Sequence, residues 1–378
     1  MKRITVAIDS FKGSLTSHEV ACAFERGFHR EFPQAEVRKV SVADGGEGTV
    51  EALVQTLGGE QVRIVASDPL MRGVEVCYGI VDGGRTAVME MSAASGLPLL
   101  APEERNPLKT TTYGTGEMIA DALARGCRKF LVGIGGSATN DAGVGMLRAL
   151  GFRFLDAEGQ VLIGGGEILA QIASIDDSGA LDALSEAEFV VACDVTNPLY
   201  GPEGAAYVFA PQKGADAAMV EQLDGGLRNF AEVVKRYNGE DVASLPGAGA
   251  AGGLGGGFKA LLGARLERGI EMVLSAMHFD DIIAGSDLVV TGEGRLDSQT
   301  VMGKTPSGVL RAACKQGIPC IAIGGAIEYC KELAESDFAA MFPVVSGPMP
   351  LERAMQKDVA EANVERTATQ IARVLKIR

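Results

Sequence analysis

KFLVGIGGSATNDAGVGMLRALG, residues 129–151, reads as an apolar strand, a tight glycine-rich turn and the start of a helix. Met146, Leu147 and Leu150 fall on one side of that helix at helical spacing. A strand feeding a helix through a short turn is the repeating unit of α/β folds with parallel sheets. The turn also carries chemistry. Its glycines let the backbone wrap closely, and Ser137, Thr139 and Asn140 can cap the helix. The unpaired N–H groups at a helix start form an anion site. A glycine-rich βα turn needs no ligand, but four polar side chains crowded into one loop favour binding. Gly135, Gly136, Ser137 and Asn140 are therefore candidates for holding phosphate or an anionic substrate.

Working outward, both ends of the chain repeat the strand–helix style. RITVAIDS, EVRKVSVA and QVRIVA read as strands in the first 65 residues. A helix over residues 16–31 presents Val20, Phe24 and Phe28 at helical spacing, capped by Ser14 or Thr16, and a glycine-started helix covers residues 44–57. In the last 90 residues SDLVVTGEG, IPCIAIGGAI and FAAMFPVV are strands. Residues 305–316 form a helix with Pro306 near its first turn, and residues 350–376 a long amphipathic one. The middle differs: a hairpin-like run over residues 68–90 with a DGG signal, helices over 115–125 and 141–150, a strand EFVVACDV, a long helix over 215–238, and the tract GAGAAGGLGGG. The expected architecture is two unlike α/β domains. The first, a Rossmann-like or flavodoxin-like parallel-sheet unit, is discontinuous over residues 1–67 and 286–378. The second, residues 68–285, is inserted into it, with a cleft expected between them.

Bulk properties narrow the function classes. The net charge of −14 excludes the basic face that nucleic-acid binding needs. Apolar runs such as PCIAIGGAI have strand length, well short of the ~20 residues of a membrane span. The opening MKRITVAIDS reads directly as a strand and not as a signal peptide, so a cytoplasmic location is expected. Seven cysteines with no CxxC pair read as reduced thiols, and three histidines without HExxH give no zinc site. GAGAAG matches GxGxxG by letter, yet no convincing strand precedes it, which disfavours a dinucleotide site. SQTVMGKT fails the Walker A pattern at its first position, where Ser298 stands.

Acids and lysines gather at the ends of apolar strands, where open α/β sheets bind ligands. DSFKGS places Asp9 and Lys12 after the first strand, and ADGGEGT places Asp44 and Glu47 after the second. VACDVTNPLYG puts Asp194 at a strand tip, and VVTGEGRLDSQTVMGKT supplies Glu293, Arg295, Asp297, Lys304 and Thr305.

Taken in order, AIDSFKGSLTS, ADGGEGT, YGTGEMI, GIGGSATNDAG, CDVTNPLYGPEGAA with FAPQKGA, GAGAAGGLGGG and VVTGEGRLDSQTVMGKTP resemble the glycerate kinase type-1 family from residue 7 to past 306. The resemblance implies ATP and D-glycerate as substrates, Mg²⁺ as cofactor, and ADP with phosphoglycerate, favouring 2-phosphoglycerate, as products. No nucleic-acid or membrane partner is implied, and a homodimer is left open. Phosphoryl transfer needs a group to orient the hydroxyl, cations for the phosphates and a positive group for the substrate carboxylate. On that chemistry Asp194 or Asp44 is the expected base. Glu293 and Asp297 hold Mg²⁺, Lys12 and Lys304 neutralise phosphate, and Arg295 or Arg72 pairs with the carboxylate. Asp194, Asp297 and Lys12 are expected to face the one cleft. The rival readings are an NAD-dependent hydroxy-acid oxidoreductase and a non-catalytic small-anion binding protein.

Overall fold

The computed structural model describes residues 1–377. Thirteen strands organise the described residues. The first six are β1 (Arg3–Ile8), β2 (Glu36–Ser41), β3 (Glu60–Ser67), β4 (Gly73–Val81), β5 (Thr86–Glu90) and β6 (Lys129–Gly133). The remainder are β7 (Arg153–Leu155), β8 (Ser174–Asp176), β9 (Glu188–Ala192), β10 (Arg265–Glu267), β11 (Leu288–Leu296), β12 (Cys320–Ile327) and β13 (Ala340–Pro343). They divide between two compact units, Met1–Asp44 with Val273–Arg378, and Gly45–Met272.

The first unit is one parallel sheet in the order β2-β1-β11-β12-β13. Counted within the unit this is 2-1-3-4-5, the flavodoxin-like order of the two expected alternatives. β1 reads RITVAI and is buried from its second residue on, as a central parallel strand covered on both faces must be. Helix Ser17–His29 turns Val20, Phe24 and Phe28 inward against β1, β11 and helix Lys357–Leu375. Thr16 begins that helix with a reciprocal cap: its hydroxyl accepts the Glu19 N–H, and Glu19 accepts the Thr16 N–H.

The second unit holds a six-stranded mixed sheet, β10-β9-β6-β5-β4-β3, and a two-stranded ribbon of β7 and β8. β5, β6, β9 and β10 run parallel, while β3, β4 and β5 pair antiparallel. Phe130 stacks on Phe189, Phe258 meets Phe189 at a tilt, and Met118, Leu227 and Phe230 share the same core.

One expectation is corrected here. The seam falls after Asp44, not after residue 67, and again near 273, not 286. β3 was expected to join the N-terminal strands, but it pairs with β4 from Glu60↔Ile80 to Ser67↔Gly73. Its outward face carries Gln61, Arg63 and Val65, so it suits an edge with one wet side. The seven cysteines are all free thiols. Among the described residues no helix is long and apolar enough to cross a membrane.

Candidate active site

In the first unit β1 and β11 are neighbours, but the chain leaves β1 toward β2 on one side and β11 toward β12 on the other. This is the switch point of the strand order, where open α/β sheets leave a crevice beyond the carboxyl ends of the strands. Asp9 stands there, one residue past β1, and is only 6% exposed. Its backbone N–H bonds the Gly292 carbonyl at 2.9 Å, which locks it to β11. One carboxylate oxygen accepts the Ser10 N–H at 2.6 Å and the other the Thr305 hydroxyl at 2.9 Å. Burial, reinforced by the nearby Asp44 carboxylate, pushes Asp9 up to about 6, against the pull of the Thr305 and Ser10 hydrogen bonds.

Six of the residues named from sequence lie in the same unit: Lys12, Asp44, Glu293, Arg295, Asp297 and Lys304. The exposed Lys12 ammonium lies 4.0 Å from an Asp44 carboxylate oxygen. Glu293, on β11, accepts the Thr300 hydroxyl at 2.7 Å and has the Lys304 ammonium at 3.6 Å. Burial raises its pKa, and the charges of Asp9 and Asp297 add to the rise. Asp297 caps the turn Ser298–Val301 by accepting the Gln299 N–H at 2.9 Å. Arg295 is largely exposed, 3.7 Å from Asp297 and bonded to Glu328. Lys304 starts helix Thr305–Lys315, with Pro306 in its first turn.

The second unit carries its own set at the ends of β5, β6 and β9. The tip Gly135–Gly136 of the loop after β6 is exposed, and Gly136 needs its φ of +72°. Beyond the tip the loop dives inward. Ser137, Thr139, Asn140 and Asp141 are buried, and Ala142 is held at φ +52°, a strained conformation for a residue with a side chain. The glycine tract explains how this loop is held. Gly252 lies so close that a Cβ there would sit 2.0 Å from the Thr139 carbonyl oxygen, and its own carbonyl accepts the Ala142 N–H at 3.1 Å. The tract is a close-contact device at the start of helix Ala250–Leu262. Asp141 accepts hydrogen bonds from Thr112 N–H and hydroxyl and from the N–H of Gly143 and Gly145. Asn140 is different: among the described residues both atoms of its buried amide lack a partner, as does the Thr139 hydroxyl. Such orphaned groups each cost about 1–3 kcal/mol.

Asp194, at the end of β9, is exposed and accepts the Gly269 N–H at 3.0 Å. Arg72 is already engaged by Asp68 and Glu104, each at 2.6 Å, and closes the turn between β3 and β4. Sequence offers Asp9 only as an acid after a strand, with no role, and singles out neither Lys213 nor Glu90, yet all three are prominent in the structure. The Glu90 carboxylate takes the N–H groups of residues 48–50, so it occupies the start of helix Thr49–Leu57. Each stands at a strand end or inside a quoted motif, but their importance lies in burial, which the motifs do not encode.

The profile of the Glycerate kinase family matches residues 4–376. The chain belongs to the glycerate kinase family. It is 49% identical to a glycerate kinase of Bacillus subtilis (strain 168) over 99% of this chain and 98% of that one. It is 45% identical to a glycerate 2-kinase of Escherichia coli (strain K12), with the same two coverages. A crystal structure of a provisionally named glycerate kinase 2 from Salmonella typhimurium LT2 superposes with a TM-score of 0.91 at 46% identity, covering 100% of this chain and 98% of that one. Membership of this family makes the protein a kinase, a phosphotransferase, and removes the oxidoreductase and binding-protein readings.

Proposed function

We propose that the enzyme transfers the γ-phosphoryl group of ATP to the 2-hydroxyl of D-glycerate, giving 2-phosphoglycerate and ADP in the cytoplasm. The observation that carries this reading is the end-to-end similarity to glycerate kinases, among them one named for the 2-position. In the step itself the glycerate oxygen bonds the γ-phosphorus, the bond to the β–γ bridging oxygen breaks, and the hydroxyl proton passes to a carboxylate. Asp9 suits that last role best. A base works most efficiently when its pKa is near the operating pH, and burial has moved Asp9 toward it. Asp194 and Asp44 are the alternatives.

Lys12 and Lys304 supply positive charge for phosphate oxygens, and Ser137 and Asn140, with the Gly135–Gly136 tip, supply hydrogen bonds for an anionic substrate. Arg295 is the arginine favoured for a carboxylate: like Arg72 it pairs with two acids, Asp297 and Glu328, but it stands on β11 beside Glu293, whereas Arg72 closes the turn between β3 and β4.

Among the described residues no three His, Cys, Asp or Glu side chains form a ready metal set. Mg²⁺, however, commonly takes one or two carboxylates and completes its shell with phosphate oxygens and water. Glu293 and Asp297 fit that demand: burial chiefly raises Glu293, the Asp9 and Asp297 charges add to the rise, and a divalent cation would favour the charged carboxylates against both. When bound there, Mg²⁺ supplies charge neutralisation at the transferring phosphoryl group.

Incubation with ATP, Mg²⁺ and D-glycerate, followed by phosphorus NMR, tests the reading. The expected product is 2-phosphoglycerate, formed with ADP in equal amount. A 3-phosphoglycerate signal would move the acceptor to the other hydroxyl, and no ADP above background from folded protein would end the proposal.

A further inference from the structure

Lys213 lies within FAPQKGA, at the end of the short turn Pro211–Lys213, and is 2% exposed. Its ammonium nitrogen donates to the Ser137 hydroxyl and to the Thr139 carbonyl, both at 2.7 Å. It therefore grips the loop after β6 from beneath, at the residues where that loop turns inward. The same stretch holds the unpartnered Asn140 amide, the unpartnered Thr139 hydroxyl and the strained Ala142. A buried ammonium is costly, and a chain that only had to fill this space would do so with an apolar side chain. Burial drives the Lys213 pKa down to about 7, with the Asp141 charge opposing the fall. Orphaned polar atoms and backbone strain in one loop, with a buried lysine bonded to it from another segment, are the marks of a site organised for a ligand and not for stability.

We propose that Lys213 is a positioning residue of the kinase. It fixes residues 137–140 so that the Ser137 hydroxyl and the Asn140 amide meet the carboxylate of the acid substrate. Lys213 acts through the loop, and its buried charge favours an anion there. The inference rests on the reading of D-glycerate as the acceptor.

The test compares wild type, Lys213→Met, Ser137→Ala and the double variant for kcat, for KM toward D-glycerate and toward ATP, and for thermal midpoint. Lys213→Met is expected to keep its midpoint or raise it. Its KM for D-glycerate should rise at least tenfold, while KM for ATP stays within twofold. Ser137→Ala shifts the glycerate KM in the same direction by less, and the double variant is no worse than Lys213→Met alone, because both changes break one link. An unchanged glycerate KM in Lys213→Met, an equal rise in both KM values, or fully additive losses would overturn the proposal. Should Lys213→Met not fold, Ser137→Ala decides: an unaltered glycerate KM there refutes the role equally. Wild-type protein that does not turn over D-glycerate refutes the underlying reading instead, which separates the two failures.

Discussion

Burial keeps the Asp9 carboxyl close to the midpoint between its two charge states at mildly acidic pH, and this has opposite effects on stability and on chemistry. Its folded pKa of about 6 stands above the ordinary 3.8, so the native state holds its proton more tightly than the unfolded chain. The contribution to stability is complete below pH 3.8 and is lost as pH rises through 6. Asp9→Asn keeps one oxygen to accept the Ser10 N–H, and its amide NH2 can donate to the Thr305 hydroxyl in place of the lost acceptor; it should therefore be more stable than wild type at pH 8, by at most about 3 kcal/mol, with no gain at pH 4. Chemistry runs the other way. The wild-type kcat/KM profile should show an acid limb near pH 6, and Asp9→Asn should lose roughly 10²-fold or more in kcat. Urea titrations at the two pH values and a pH–rate profile check both halves. Asp194→Asn, in which the amide oxygen can still accept the Gly269 N–H, should lose less, and a larger loss there would make Asp194 the base. Sequence places Asp9 on one loop with Lys12 but gives no reason to prefer it over Asp44. The reason is that Thr305, 296 residues away, and β11 enclose it.

Helices Ser17–His29 and Lys357–Leu375 cross in direct contact, and the crossing is made by one small residue. A Cβ at Gly27 would lie 2.1 Å from the Glu365 carbonyl oxygen, while Thr369 donates its hydroxyl to the Gly27 carbonyl at 3.0 Å. Arg26 and Arg30 bond Glu365, and Arg373 and Lys376 bond Glu31 on the surface above. These exposed pairs contribute little each. Gly27→Ala is expected to lower stability by about 1–3 kcal/mol, because the obstructing atom is backbone and cannot swing aside. A fall in urea midpoint with wild-type KM values would confirm it, and an unchanged midpoint would mean that the helices can separate freely. Both helices were legible from apolar spacing, but their contact was not, since Gly27 has no pattern to mark it. The β3 boundary was legible in part: Gln61, Arg63 and Val65 alternate with Val62, Ile64 and Ala66, the sign of a half-wet antiparallel strand, yet the preceding βαβ rhythm argued for a parallel partner. For the tract GAGAAGGLGGG sequence disfavours a dinucleotide site and leaves a phosphate loop or a close helix contact open; the packing against Thr139 and Ala142 emerges only from the fold.

The molecule as a whole is one chain that begins a sheet, builds a second unit of its own, and then returns to finish the first. The second unit needs nothing from the termini to complete its sheet. A chain ended after residue 272 should therefore keep a protease-resistant core over residues 45–272 and lose residues 1–44 to digestion, as read by mass spectrometry. Protection of residues 1–44 in that truncation would show that β1 and β2 hold without β11.

The pairing of Ile4 with Leu288 and Ile8 with Gly292 also sets an order in time. Roughly 280 residues separate these partners, and a ribosome adding about 5–20 residues per second needs roughly 15–55 s to supply the second after the first. For that interval the apolar strand RITVAI has an open edge, the kind that recruits foreign strands. The nascent chain is thus most vulnerable at its oldest segment, and a chaperone that shelters the emerging N-terminus would govern its yield more than one acting on the released protein.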